Sequence, residues 1–223
     1  MEKLHYIGNA HIDPVWLWRW QDGYSEVLAS WRSALDRMIE FDDFHYTAAC
    51  AVYYQWVEQT DPAMFAEIQQ RVKEGRWNIV GGWFLQPDCN MPCGEAFARH
   101  ALISQRYFKE KFGVVARTGY NVDSFGHTAS LPKILRAGGL NRYVFMRPDK
   151  NEKTCPRIFS AGRATTEAPC LRIGSPRIIT LPRKSRIRST TFLPRSKPTI
   201  FRACSSSESE TTAAVRPRRW FAR

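Results

Sequence analysis

Short apolar runs of strand length alternate with segments of helical period from residue 4 to residue 146, and this alternation constrains the fold more than any other feature of the chain. Residues 4–10 form a mostly apolar run that reads as a buried strand; from Tyr24 the pattern turns helical, with Val27, Leu28, Trp31, Leu35, Met38 and Ile39 on one face. Residues 44–49 make a second strand candidate. Asp61-Pro62 supplies an N-cap with proline at the first helical position, Phe65, Ile68 and Val72 follow at helical spacing, and Gly75 closes that element. A third strand over 77–80 stops at Gly81-Gly82, and a helix over 95–112 turns Phe97, Ala101, Phe108 and Phe112 inward before Gly113 ends it. A strand at 118–122, a short helix at 131–137 and a strand at 142–146 complete a β-α-β-α-β-α-β-α-β order. Strands joined by helical crossovers predict an α/β domain with a parallel sheet covered on both faces, either doubly wound or closed like a barrel. In both cases chemistry gathers at the carboxyl ends of the strands.

The pattern ends where the composition changes. Of 33 Lys and Arg and 21 Asp and Glu in the 223 residues, 15 basic residues but only Glu167, Glu208 and Glu210 lie after Lys153, so the formal charge of +12 resides there. The same stretch is rich in Pro, Ser and Thr and has no His, Tyr or Asp. A segment so basic and poor in apolar residues cannot bury enough surface to offset the entropy of ordering it, which predicts a disordered basic tail over 154–223 behind a domain over 1–153. The six cysteines, Cys50, Cys89, Cys93, Cys155, Cys170 and Cys204, have no disulfide-framework spacing, and Cys89-x-x-x-Cys93 lacks the second pair or nearby histidine of a zinc site. With no apolar leader and no run of about 20 apolar residues, the expectation is a cytoplasmic protein without a membrane partner.

Two strand ends carry the candidate chemistry. His11-Ile-Asp13-Pro follows the first strand, where alternate residues of an extended chain project the same way. Asn121-Val-Asp123-Ser-Phe125-Gly-His127 follows the fourth. One imidazole and two carboxylates directed at a single region suit zinc or a similar divalent ion, although His11-x-Asp13 alone reads more readily as an ordinary polar strand end and only the convergence of Asp123 balances the two readings.

Three segments, His11-Ile-Asp-Pro-Val-Trp-Leu-Trp-Arg19, Gly81-Gly-Trp-Phe-Leu-Gln-Pro-Asp-Cys-Asn90 and Asn121-Val-Asp-Ser-Phe-Gly-His127, closely resemble three successive motifs of the family 38 α-mannosidases, in the family's order and nearest its bacterial and cytosolic branch. The resemblance covers about the first 150 residues. It implies a seven-stranded, barrel-like α/β catalytic domain of the glycoside hydrolase/deacetylase type, incomplete in this chain. It also implies a bound zinc or other divalent cation and cleavage of terminal α-linked mannose with retention of configuration. By motif position His11 and Asp13 match metal ligands, and Asp123 matches the residue that is both ligand and catalytic nucleophile. Trp16 and Phe125 match aromatic positions lining the sugar subsite, Arg147 matches a position that organises charge in the pocket, and Asp88 is a substrate-side candidate. His127 reads as positioning the Asp123 loop. The expected partner is a mannose-containing oligosaccharide or small α-mannoside, with homo-oligomers of the full-length relative left open.

Family members continue past Arg-Pro-Asp-Lys-Asn-Glu-Lys153 into strands that bring the general acid and a further histidine ligand; this chain has no histidine after His127. The expectation is therefore a family member without activity. Two other readings compete: a polysaccharide deacetylase-like metal hydrolase on a related barrel, and a fragment whose 15 basic tail residues bind nucleic acid through phosphate neutralisation. The abrupt change of language points to a shift of reading frame near codon 154. Sequencing the coding DNA from independent template and translating all three frames is expected to restore a mannosidase continuation; no restored frame would make the tail genuine.

Overall fold

The computed structural model describes residues 5–147 together with the strands Phe159–Gly162, Leu171–Gly174 and Phe201–Ser205. Strand β1 (His5–Asn9) leads into helix α1 (Trp20–Glu40), and β2 (Tyr46–Ala48) is followed by α2 (Ala51–Thr60) and α3 (Pro62–Lys73). Then come β3 (Trp77–Ile79), α4 (Gly94–Phe112), β4 (Thr118–Asn121), α5 (Leu131–Ala137) and β5 (Arg142–Phe145). β1 pairs in parallel with β2, β2 with β3 and β4 with β5, as helical crossovers require. The chain is thus an α/β domain. The two sheets meet where Gly81 N, just past β3, donates to Thr118 O at the start of β4 at 2.7 Å.

Each helix is placed by its apolar face. In α1 the buried residues are Gly23, Val27, Trp31, Ala34, Leu35 and Met38; Leu28 is partly buried, and Ile39, expected inward, is 66% exposed because it sits one position beyond the stripe. Arg76 ties the far end of α1 to the sheet by donating to Met38 O and Phe41 O at 2.7 and 2.5 Å, a cation at a helix carboxyl terminus. In α4 Phe97, Ala101 and Phe108 are buried and Gly113 caps the helix at φ 71°. Under α1 to α3 the interior is aromatic: Trp31, Tyr54 and Trp77 are buried, and Trp77 Nε1 donates to Tyr54 OH at 2.9 Å. A second cluster under α4 and α5 is built on Trp83, Phe97, Leu135, Leu140 and Tyr143.

Two departures from the sequence expectation have physical causes. Helix α2 was not anticipated: its sequence AVYYQWVEQT is rich in β-branched and aromatic residues, and its N-cap Cys50 has φ 70° and no capping side chain. Three strands also arise from the stretch expected to be disordered: β6 (Phe159–Gly162), β7 (Leu171–Gly174) and β8 (Phe201–Ser205). β8 pairs in parallel with β1, β7 in parallel with β5, and β6 antiparallel with β7. Strand edges with unpaired N–H and C=O groups act as templates for such short additions. The remainder of 154–223 lies outside the described residues.

Asp61 does cap α3, accepting from Met64 N at 2.9 Å. Asp61→Ala is expected to destabilise the domain by about 1 kcal/mol in urea unfolding, the usual cost of a lost N-cap; an unchanged midpoint would show that the cap contributes nothing.

Candidate active site

The exits of β1, β4 and β5 bring oppositely charged groups together. β1 ends at Asn9, whose buried amide donates to Thr47 O at 2.7 Å, and His11 and Asp13 follow. His11 Nε2 lies 3.3 Å from Asp13 Oδ1 and 3.9 Å from Asp123 Oδ2. The other oxygen of Asp123, Oδ1, accepts from Nε of Arg147, which follows β5. Asp123 is therefore held between a guanidinium and an imidazole, with 27% of its side chain still exposed.

Both ring nitrogens of His11 are buried and without a hydrogen-bond partner, since the 3.3 Å approach to Asp13 lacks the geometry of a hydrogen bond. Leaving a buried polar atom unpaired costs about 1–3 kcal/mol, so the imidazole is suited to something the side chains around it do not supply. Nitrogen and carboxylate oxygen together are a donor set for zinc or a similar ion. The three side chains are not drawn into a closed cluster: among the described residues no group of three or more His, Cys, Asp or Glu is arranged to hold a metal ion. In donor chemistry His11, Asp13 and Asp123 fit a cation as part of a ligand set.

The loop between β1 and α1 presents aromatic rings. Trp16 is 65% exposed and meets Trp18 edge-on at 5.3 Å, while Trp18 Nε1 donates to Asp13 O at 3.1 Å. The loop returns so closely over α1 that a Cβ at Gly23 would lie 2.3 Å from Pro14 O, which only glycine tolerates. Phe125, 74% exposed, has the Arg147 guanidinium 4.7 Å from its ring centre, a cation–π contact. Neither ring belongs to the core. Asp88 stands apart: its Oδ1 accepts from the backbone of Asn90 and Met91 at 2.7 and 3.0 Å and closes its own turn. His127 faces Tyr143 and the Arg147 carbonyl.

Sequence reasoning missed two supports. Tyr53 OH donates to Ile12 O at 2.7 Å, bracing the peptide between His11 and Asp13 from 41 residues away on the unanticipated α2. Tyr143, on β5, links Cys89 to His127. No spacing rule signals either contact. Cys89 proves to be a buried structural thiol, its pKa pushed up by burial against the opposing hydrogen bonds of Ser124 and Tyr143, whereas Cys93 is exposed. Burial also pushes Cys50 up to about 12. Because the thiolate is the nucleophile, iodoacetamide at pH 8 should modify Cys93 well before Cys50 and Cys89 in peptide mass spectra; equal rates would mean that the loop is open.

The α/β domain thus gathers carboxylates, a guanidinium, an imidazole and exposed aromatic rings at parallel strand exits, where such folds place their chemistry. Residues 1–157 match the Glycosyl hydrolases family 38 N-terminal domain, and the chain belongs to that family. It is 32% identical over 141 residues to "Alpha-mannosidase 2C1" of Mus musculus, covering 63% of this chain and 14% of that protein. It is 28% identical over 145 residues to "Alpha-mannosidase" of Saccharomyces cerevisiae, covering 65% and 13%. The fold is similar to that of an alpha-mannosidase from Enterococcus faecalis V583, with TM-score 0.62 and 17% identity over 76% of this chain and 19% of that one. The chain thus spans about a seventh of the length of these curated relatives. The family match favours neither the deacetylase-like nor the nucleic-acid-binding reading. Among the described residues no helix is long and apolar enough to cross a membrane.

Proposed function

We propose that this chain carries the nucleophile side of a metal-dependent retaining α-mannosidase whose complete form hydrolyses terminal α-linked mannose in an oligosaccharide or small α-mannoside. The observation that carries the reading is the seat of Asp123, with Oδ1 on Arg147 and Oδ2 toward a His11 ring whose nitrogens lack partners. A retaining glycosidase needs a carboxylate to attack the anomeric carbon and a second carboxyl group, roughly 5–5.5 Å away, to act as acid and then base. Asp123 serves as the nucleophile, its Oδ2 free to turn toward a sugar while Arg147 fixes Oδ1. His11, Asp13 and Asp123 are the assigned ligands of zinc or another divalent cation, which when bound would hold charge at the site and engage sugar hydroxyls.

The substrate side follows from exposure. Trp16 and Phe125 offer apolar faces to a sugar ring, and the Asp88 oxygen not engaged in its turn is assigned to a hydroxyl. The parallel strands are read as part of a seven-stranded barrel-like domain whose family-like sequence ends near residue 153, close to the end of the family match at residue 157; the basic stretch beyond it is not wholly separate, since β7 and β8 pair with β5 and β1. The free thiols of Cys50, Cys89 and Cys93 suit a cytoplasmic setting.

The general acid and a further histidine ligand are assigned to sequence that follows this segment in the complete enzyme. General acid catalysis alone contributes about 10²- to 10⁴-fold, so the chain as it stands is expected to turn over an aryl α-mannoside at least about 10²-fold more slowly than an enzyme with its reading frame restored. In the restored enzyme, Asp123→Asn should abolish turnover while leaving the unfolding midpoint near that of the parent. Equal turnover by the two forms, or an active Asp123→Asn enzyme, would sink the reading.

A further inference from the structure

Behind the Asp123 loop runs a hydrogen-bonded chain that crosses the exits of β3, β4 and β5. His127 Nε2 lies 2.7 Å from Arg147 O. A carbonyl oxygen can only accept, so Nε2 carries the hydrogen; in the neutral ring Nδ1 then accepts, and its partner at 3.0 Å, Tyr143 OH, donates. Cys89 Sγ lies 3.4 Å from the Tyr143 oxygen and 3.7 Å from Pro87 O, either of which can accept its one hydrogen, and Ser124 Oγ donates to the same sulfur at 3.5 Å. Burial raises the pKa of Tyr143 and so keeps this donor protonated. The backbone supports the same junction: Cys89 and His127 form an isolated parallel bridge, and Thr128 N donates to Cys89 O at 3.0 Å. At Gly126 a Cβ would lie 2.1 Å from Nδ2 of the exposed Asn90 side chain, which would have to move aside.

We propose that His127 is a positioning residue that, oriented by Tyr143, fixes the Arg147 backbone and thereby aims the Arg147 guanidinium at Asp123. The last register pair of the β4–β5 ladder is Asn121 with Phe145, and Arg147 follows two residues further on. His127 sits on the same loop as Asp123, four residues on. Its bond to Arg147 O therefore closes a ring that runs from Asp123 along the loop to His127, across to the Arg147 backbone, and back through Arg147 Nε to the Asp123 carboxylate. Such a ring sets Asp123 against Arg147 from both ends, which a lone surface ion pair between flexible side chains would not do. Edge-on packing of the His127 ring at 5.6 Å on Tyr143 and 5.1 Å on Phe145 fixes the plane in which Nε2 points. The inference rests on the reading of Asp123 and Arg147 as the working pair, but its test does not depend on turnover.

The test is nitrogen-15 NMR of the full chain with labelled His, Arg and Trp, using the buried Trp83 indole, which donates to Asn121, as an internal reporter of folding. The parent should show His127 as the Nε2–H tautomer and a slowly exchanging Arg147 Nε–H, assigned by its loss in Arg147→Lys. His127→Phe, which keeps a ring but no nitrogen, should lose the slow Arg147 signal while the Trp83 signal persists. His127→Gln, which returns an N–H donor near the Nε2 position, should restore it. Tyr143→Phe removes one oxygen and should convert His127 to a tautomer mixture; this variant decides the matter if His127→Phe fails to fold. An Arg147 signal unchanged in His127→Phe, or a pure Nε2–H tautomer persisting in Tyr143→Phe, overturns the proposal. Failure of mannoside turnover in a restored enzyme would overturn the functional reading and leave these spectra unaffected.

Discussion

The side-chain amide of Asn121 is the contact on which the rest of the site depends. It is fully buried at the last position of β4, where its oxygen accepts from Trp83 Nε1 at 2.9 Å and its nitrogen donates to Pro87 O at 2.9 Å. A buried amide left unsatisfied would be costly, so these bonds specify one arrangement of the β3 exit against the β4 exit. Asp123 lies two residues further on, which makes its position a consequence of that arrangement. With Gly81 N on Thr118 O, the same seam joins the β1–β3 sheet to the β4–β5 sheet, so His11 from one and Asp123 from the other face each other.

Much of this was legible in the sequence because it is carried by periodicity and by short motifs. The strand positions, α1, α3, α4 and α5 follow from apolar spacing and from caps such as Asp61 and Gly113, whose physics is local. That His11 stands near both Asp13 and Asp123 follows from placing both motifs at strand exits. What was not legible depends on contacts between distant residues. Helix α2 has no start signal of its own, and Tyr53, which it carries, braces the His11 loop across 41 residues. The Asp88 carboxylate reads as a ligand-like acid, yet one of its oxygens serves a turn two and three residues ahead, a use that no motif distinguishes from binding.

The sheet edges explain how a basic, Pro- and Ser-rich stretch can nonetheless supply strands. β1 has β2 on one side and takes β8 on the other in a five-residue parallel register, and β5 has β4 on one side and takes β7 on the other. In both cases the added segment, FRACS or LRIG, is a short run with apolar residues set among polar ones. Pairing of this kind satisfies main-chain groups and asks little of the side chains, so composition, which predicts whether a segment can build a core, is a poor guide to whether it can cover an edge.

The site places one carboxylate, that of Asp123, with contacts drawn from several elements. The orientation of Asp123 is determined within the first 147 residues: Asn121 anchors the strand end, Arg147 holds one carboxylate oxygen, and Tyr53 and Trp18 hold the loop that carries His11 and Asp13. These supports range from the buried Asn121 and Tyr53 bonds to the part-buried Arg147 pair and the exposed Trp18 bond, and they come from strand exits, a loop and helix α2. The ring nitrogens of His11 are buried without a hydrogen bond, although Nε2 lies 3.3 Å from Asp13 Oδ1, so they are polar atoms that these contacts leave unsatisfied. An oriented carboxylate beside an imidazole without hydrogen bonds is what the first 147 residues build at these strand exits.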